Sequence, residues 1–120
     1  MPSSNQPPGI KHDAGKPTYA LALTMFRHAL AAVDRVARHG AEKYGSDNFA
    51  TVPDGEARYS EALLRHFIES RIGNTDPVTG LDHDAQAAWN ALARLELRLR
   101  REAAIHAAAS QITNLKETDQ

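Results

Sequence analysis

The chain has 120 residues and a net charge of −1, from 14 basic and 15 acidic side chains, and it contains no cysteine. A chain of this length suits one domain that buries roughly two-thirds of its unfolded surface. The lack of cysteine excludes disulfides, thiolate metal sites and cysteine nucleophiles. The charge balance argues against a nucleic-acid partner, because a duplex-binding domain carries a basic surplus. No apolar run approaches the ~20 residues needed to span a bilayer, and no basic segment followed by an apolar one opens the chain. The expected class is therefore soluble and cytoplasmic, with no membrane partner.

In chain order, residues 1–10 form a polar, Pro-rich leader. Lys11 to Pro17 is a charged loop with two lysines. From about Tyr19 to Tyr44, Leu23, Phe26, Leu30, Val33 and Val36 recur at helical spacing. Gly45 is placed to end that helix, and Ser46-Asp47-Asn48 is turn chemistry. After a second turn at Val52-Pro53-Asp54-Gly55, a helix from about Glu56 to Ile72 carries the stripe Leu63, Leu64, Phe67 and Ile68. Asp76-Pro77 and Thr79-Gly80 mark a tight turn that makes the next helix an antiparallel neighbour. That third helix starts near Leu81 with Asp82 as its cap and runs past Leu99, with Ala85, Ala88, Trp89, Leu92 and Leu95 on it. Ala103 to Ala109 extends it, and residues 113–120 read as a frayed tail. No segment alternates with period two. The expected fold class is all-α: a small bundle of three main helices plus a C-terminal helical extension, within one domain over residues 11–112.

Chemistry concentrates between Arg65 and Asn90. His66 and Glu69 share one face of the second helix, away from the apolar stripe, and Glu61, Arg65 and Glu69 form a ladder at i, i+4, i+8. Taken alone, these residues read as a solvated face with ordinary ion pairs. On the third helix Asp82, His83 and Asp84 crowd the first turn, where the helix N-terminus favours acids. Capping accounts for one of them. His83, Asn90 and Arg94 form a polar stripe on a helix that also has an apolar face. Two polar-striped neighbours point to an internal polar site that binds something, because unpaired buried charge is costly.

Hard oxygen ligands with some imidazole and no thiolate favour Mg2+ or Mn2+, ions that serve phosphate chemistry. Lys11, Lys16 and Lys43, three of the chain's four lysines, lie in or beside loops from which they can reach a phosphate chain. Each also reads as a plain surface lysine. The pair His39 and Glu42 reads either as completing the metal site or as solvent-facing, with solvent the favoured reading.

Five strings appear in order: Lys-His-Asp-Ala-Gly-Lys-Pro at 11–17, Gly-Ala-Glu-Lys-Tyr-Gly at 40–45 followed by Asp47-Asn48-Phe49, Leu64-Arg65-His66, Asp76-Pro77-Val78-Thr79-Gly80-Leu81-Asp82-His83, and Ala88-Trp89-Asn90-Ala91-Leu92. With them, the chain resembles the phage-type dATP/dGTP diphosphohydrolases, a branch of the MazG-like all-α NTP pyrophosphatases. The resemblance runs over residues 11–100. It implies a hydrolase that cuts a deoxypurine nucleoside triphosphate between the α and β phosphates with Mg2+ or Mn2+, in host cytoplasm if the chain is phage-encoded.

The implied metal ligands are Glu69, Asp84, His83, His66 and Glu61. Glu69 or Glu61 would orient the attacking water or take its proton. Lys16, Lys43 and Arg65 would neutralise the leaving pyrophosphate, with Lys11 beside them, and Asn48, Asn90 and Trp89 would contact base and sugar. The chain departs from the wider pattern of paired Glu-x-x-Glu and Glu-x-x-Asp motifs by placing imidazoles at His66 and His83. It also has Asn74 and Gln86 where the nearer branch often has Glu and His. The alternatives are hydrolysis of a modified or pyrimidine nucleotide, and a non-enzymatic helical adaptor. Ala85, Ala87, Ala88, Ala91, Ala103, Ala104 and Ala107 suggest close helix contacts, also between subunits of a homo-oligomer (dimer or tetramer), although helix propensity explains them too.

Overall fold

The computed structural model describes residues 5–118. Among the described residues, four α-helices and one short 3-10 turn account for the regular structure: α1 Ala20–Met25, α2 Arg27–Tyr44, the 3-10 turn Asn48–Thr51, α3 Gly55–Ser70 and α4 His83–Thr118. No strand occurs among the described residues; Thr75 and Asp82 form a single antiparallel bridge at the base of the α3–α4 turn. The protein is all-α, as its periodicity implied.

Two boundaries differ from the reading by periodicity. The first helix is broken at Phe26, whose φ of −119° and ψ of 30° leave the helical region. Phe26 still belongs to both hydrogen-bond ladders: its N–H reaches the Ala22 carbonyl at 3.0 Å, and its carbonyl accepts the Leu30 N–H at 2.7 Å. At the other end α4 continues to Thr118, through residues that read as a tail. Ion pairs one turn apart, Arg98–Glu102 at 2.8 Å and Arg100–Glu96 at 2.6 Å, line its exposed surface. Gly45 ends α2 as expected, its N–H bonding to the Ala41 carbonyl at 2.8 Å.

Helices α3 and α4 form an antiparallel hairpin, and α2 leans on α4. At the open end of the hairpin Arg101 grips Glu56 with two bonds of 2.9 and 3.1 Å. Gly55 starts α3 so close to α4 that a Cβ there would lie 2.8 Å from Leu97 Cδ1. The 3-10 turn is pinned by the Tyr59 hydroxyl, which donates to the Phe49 carbonyl at 2.7 Å. The Trp89 ring meets Phe49 and Tyr59 edge-on at 6.2 and 5.6 Å.

The hairpin is inverted with respect to the usual hydrophobic pattern. Its buried apolar residues are alanines (Ala85, Ala87 and Ala93), and the side chains buried with them are polar: His83, Gln86 and Asn90. Of the apolar stripe on α3, Leu63 is half-buried, while Leu64, Phe67 and Ile68 are exposed. Leu92, Leu95 and Leu99 on α4 are exposed as well. The chain exposes 10071 Å2, against about 6,400 Å2 for a compact protein of its mass. Its radius of gyration is 21.1 Å, against about 14 Å for a compact chain of this length. The apolar faces of α3 and α4 are thus left open, and small residues let the polar seam close.

Candidate metal centre

The site is built by the twelve-residue connection from 71 to 82. The Asp76 carboxylate turns back on its own chain, Oδ1 accepting the Val78 N–H at 2.9 Å. Gly80, at φ 75°, lets its own N–H return to the Asp76 carbonyl at 2.8 Å. The Asp76 N–H bonds to the Leu81 carbonyl at 2.8 Å, and the His83 N–H to the Asn74 carbonyl at 2.7 Å. Asp82 caps α4, its Oδ1 accepting the Ala85 N–H at 2.9 Å. These bonds hold the turn so that Asp76 stands beside the first turn of α4, where Gln86 Nε2 donates to Asp76 Oδ2 at 3.2 Å.

From α3, His66 faces the same point. Its Nδ1 lies 3.1 Å from Nδ1 of His83, with ring centroids 5.3 Å apart and ring planes inclined at 40°. One ligand atom each from His66, Asp76 and His83 falls within 4.8 Å of the other two. His83 is 6 % exposed; His66 and Asp76 are half-buried.

The electrostatics suit a cation. The Val78 N–H holds the Asp76 carboxyl below its ordinary range, aided by Gln86, the charge of His83 and Thr79. Burial pushes His66 below the ordinary histidine value, and repulsion from His83 adds to this; Asp76 and Glu69 pull the other way. An ionised carboxylate and a neutral imidazole are the forms that ligate metals. The donor set therefore fits a divalent ion: two imidazoles and one carboxylate, from three separate segments, facing a common point.

Gln86 joins this centre to a cleft of about 1070 Å3 that Asn48, Arg65, Trp89, Asn90, Arg58 and Gln86 line in part. The volume lies just above the usual range for small-ligand sites. Asn90 donates to the Gln86 carbonyl at 2.8 Å, one turn back along α4. Four of the substrate-contact candidates, Asn48, Arg65, Trp89 and Asn90, thus share one cavity. Trp89 is also committed to packing through its contacts with Phe49 and Tyr59. Lys11, Lys16 and Lys43 are exposed and do not line the cleft; Lys43 Nζ sits 5.3 Å from the centre of the Tyr44 ring.

The ligand candidates divide. His66 and His83 come together, whereas Glu61, Glu69 and Asp84 are exposed and outside the cluster. Glu69 stays near enough to act on the charge of His66. Arg94 is exposed, and its place in the buried stripe is taken by Gln86, one turn after His83. Asp76 was missed because Asp-Pro with Thr-Gly reads as turn chemistry. The signal was present all the same, since an acid that opens a hairpin turn lies within reach of both helix ends.

A family model described as dATP/dGTP diphosphohydrolase, N-terminal, matches residues 6–107. No curated protein matches the chain, and no solved structure does.

Proposed function

The chain belongs to the dATP/dGTP diphosphohydrolase N-terminal family, and from that premise we propose that it is a metal-dependent nucleotide pyrophosphohydrolase. It converts dATP or dGTP and water into the deoxynucleoside monophosphate and pyrophosphate. The observation that carries this reading is the convergence of His66, Asp76 and His83 beside a cleft large enough for a nucleotide.

In this reading His66, His83 and Asp76 would hold the metal beside the cleft, joined to it through Gln86. The chemistry such an ion would supply is positive charge for the phosphate oxygens and easier ionisation of water. Arg65 and Arg58, both lining the cleft, neutralise the triphosphate. Asn48 and Asn90 present amide groups to base and sugar, and Trp89 offers an apolar wall. Glu69, on the same face of α3 as His66, takes the proton of the attacking water, which approaches phosphorus in line with the leaving pyrophosphate. Glu69, Glu61 and Asp84 all stand outside the cluster, but Glu69 is near enough to act on the charge of His66; Glu61 and Asp84 are assigned no step. Lys11 and Lys16, in the segment before α1, and Lys43, in the last turn of α2, reach the pyrophosphate only if those segments move toward it.

The protein also works as a homo-oligomer. The exposed stripe of Leu64, Phe67 and Ile68, with Leu92, Leu95 and Leu99, is more apolar surface than an isolated soluble chain usually leaves open. No helix among the described residues is long and apolar enough to cross a membrane, so a second copy is the natural cover.

The test is incubation of purified protein with each of the four dNTPs and with Mg2+, Mn2+ or Co2+, followed by product separation. Deoxypurine monophosphate plus pyrophosphate is the expected result. Absence of both products across the panel overturns the reading, and a pyrimidine preference moves the substrate assignment.

A further inference from the structure

We infer that His66, Asp76 and His83 form a two-histidine, one-carboxylate site selective for a first-row transition ion (Mn2+ through Zn2+) over Mg2+. The inference deepens the metal-dependent reading above and rests on it for the role of the ion, but the binding itself can be measured apart from hydrolysis.

Geometry is the first support. Two imidazole nitrogens on one ion, each about 2.05 Å from it, lie about 2.9 Å apart at a right angle and about 3.3 Å apart at the tetrahedral angle. The Nδ1 atoms of His66 and His83 are 3.1 Å apart. The spacing is also that of a direct hydrogen bond, in which one ring donates to the other, so the carboxylate is the discriminating feature. A His–His hydrogen bond needs no third donor. Here a carboxylate oxygen of Asp76 stands within 4.8 Å of a ring nitrogen of each histidine.

The support for Asp76 is the second argument. Its Oδ1 accepts from Val78 at 2.9 Å and its Oδ2 from Gln86 at 3.2 Å, with a further interaction from the Thr79 side chain. A carboxylate has about four lone-pair sites, so at least one stays free for a metal. Outer partners that orient a ligand in this way are characteristic of metal sites. Donor chemistry is the third argument. Mg2+ prefers an octahedron of oxygens and keeps its waters, whereas imidazole suits Mn2+, Co2+, Ni2+ and Zn2+. Two imidazoles in three donors therefore move selectivity away from Mg2+.

Binding ties α3 to α4 through residues 17 apart in sequence, and so stabilises the folded chain. The experiment uses chelator-stripped full-length chain titrated with Co2+, read by visible absorption and by thermal melting, with Mg2+ in parallel. The expected result is ligand-field bands and a raised Tm with Co2+, and neither with Mg2+ at equal concentration. His66→Asn and Asp76→Asn should each weaken Co2+ binding tenfold or more. Circular dichroism identifies a variant that has lost its helices, and His66→Asn, on a half-buried helix face, decides the case if Asp76→Asn unfolds the turn. An equal Tm shift by Mg2+, or folded variants that bind Co2+ like the parent, overturns the inference. Hydrolysis with Mg2+ but no Co2+ binding overturns it while sparing the enzymatic reading. Co2+ binding without hydrolysis of any nucleotide upholds the site and sinks the enzyme.

Discussion

The Nδ1 atoms of His66, on α3, and His83, at the start of α4, face each other at 3.1 Å across the hairpin. Two imidazoles so close cannot both carry a proton between them, so one of these nitrogens is an acceptor or a ligand. That relationship, with Asp76 beside it, organises what the protein is expected to do.

His83 is buried and presents the same nitrogen in every reading of the site. His83→Ala is expected to lower metal-stimulated dNTP hydrolysis by about 100-fold or more, since loss of an outer partner alone typically costs 10–100-fold. Initial rates with purified protein check it. A variant with more than a tenth of parental activity would place the metal elsewhere.

Gln86 acts through Asp76. Gln86→Leu removes the donor to Asp76 Oδ2 and is expected to weaken Co2+ or Mn2+ binding by about tenfold. Saturating metal should recover most of the activity, which separates orientation of a ligand from loss of one. Calorimetric titration reads the affinity, and an unchanged value excludes Gln86 from any role at the centre.

Stability of the metal-free protein should depend on pH near neutrality. His66 is held below the ordinary histidine value of 6.5 by burial and by His83. Between its folded and unfolded values the unfolded chain binds a proton that the folded chain does not, so stability is complete above about pH 6.5 and falls as pH drops through that window. Asp76 is lowered from 3.8 and contributes only at more acid pH. Urea midpoints at pH 7.5 and 5.5 measure the slope, and His66→Gln should flatten it. Equal slopes in both proteins would assign the effect to another group.

Tyr59→Phe removes one hydrogen bond, from the hydroxyl to the Phe49 carbonyl, and leaves the ring against Trp89. The expected cost is about 1 kcal/mol, with little effect on metal binding because the 3-10 turn is not part of the centre. Denaturant unfolding checks the first part and metal titration the second.

Ile68→Asp on the exposed stripe of α3 tests the proposed assembly. If a second copy covers that stripe, the variant should elute as a smaller species in size-exclusion chromatography with light scattering. A parent protein that is already monomeric at micromolar concentration would refute it.

Much of this protein follows from its sequence alone. Helical periodicity, the glycine after Tyr44, the Asp82 cap and the Asp-Pro/Thr-Gly turn determine an all-α chain with an antiparallel hairpin, and they bring His66 and His83 to the same end of it. Short-range signals suffice there, because caps and turns are satisfied within a few residues. Only the tertiary structure decided which face of each helix turned inward. Periodicity shows which residues share a face but not which face meets a neighbour, and the usual preference for burying large apolar groups pointed to Leu64, Phe67 and Ile68. Instead the residues buried on α4 are alanines with His83, Gln86 and Asn90, and each polar group has its partner: His66 across the hairpin for His83, Asp76 in the connection for Gln86, and the Gln86 carbonyl one turn back for Asn90. Asp76 and Gln86 joined the centre through a contact between the connection and α4. Their partners lie across a turn, ten residues apart in the chain, at a spacing that no single-helix pattern records.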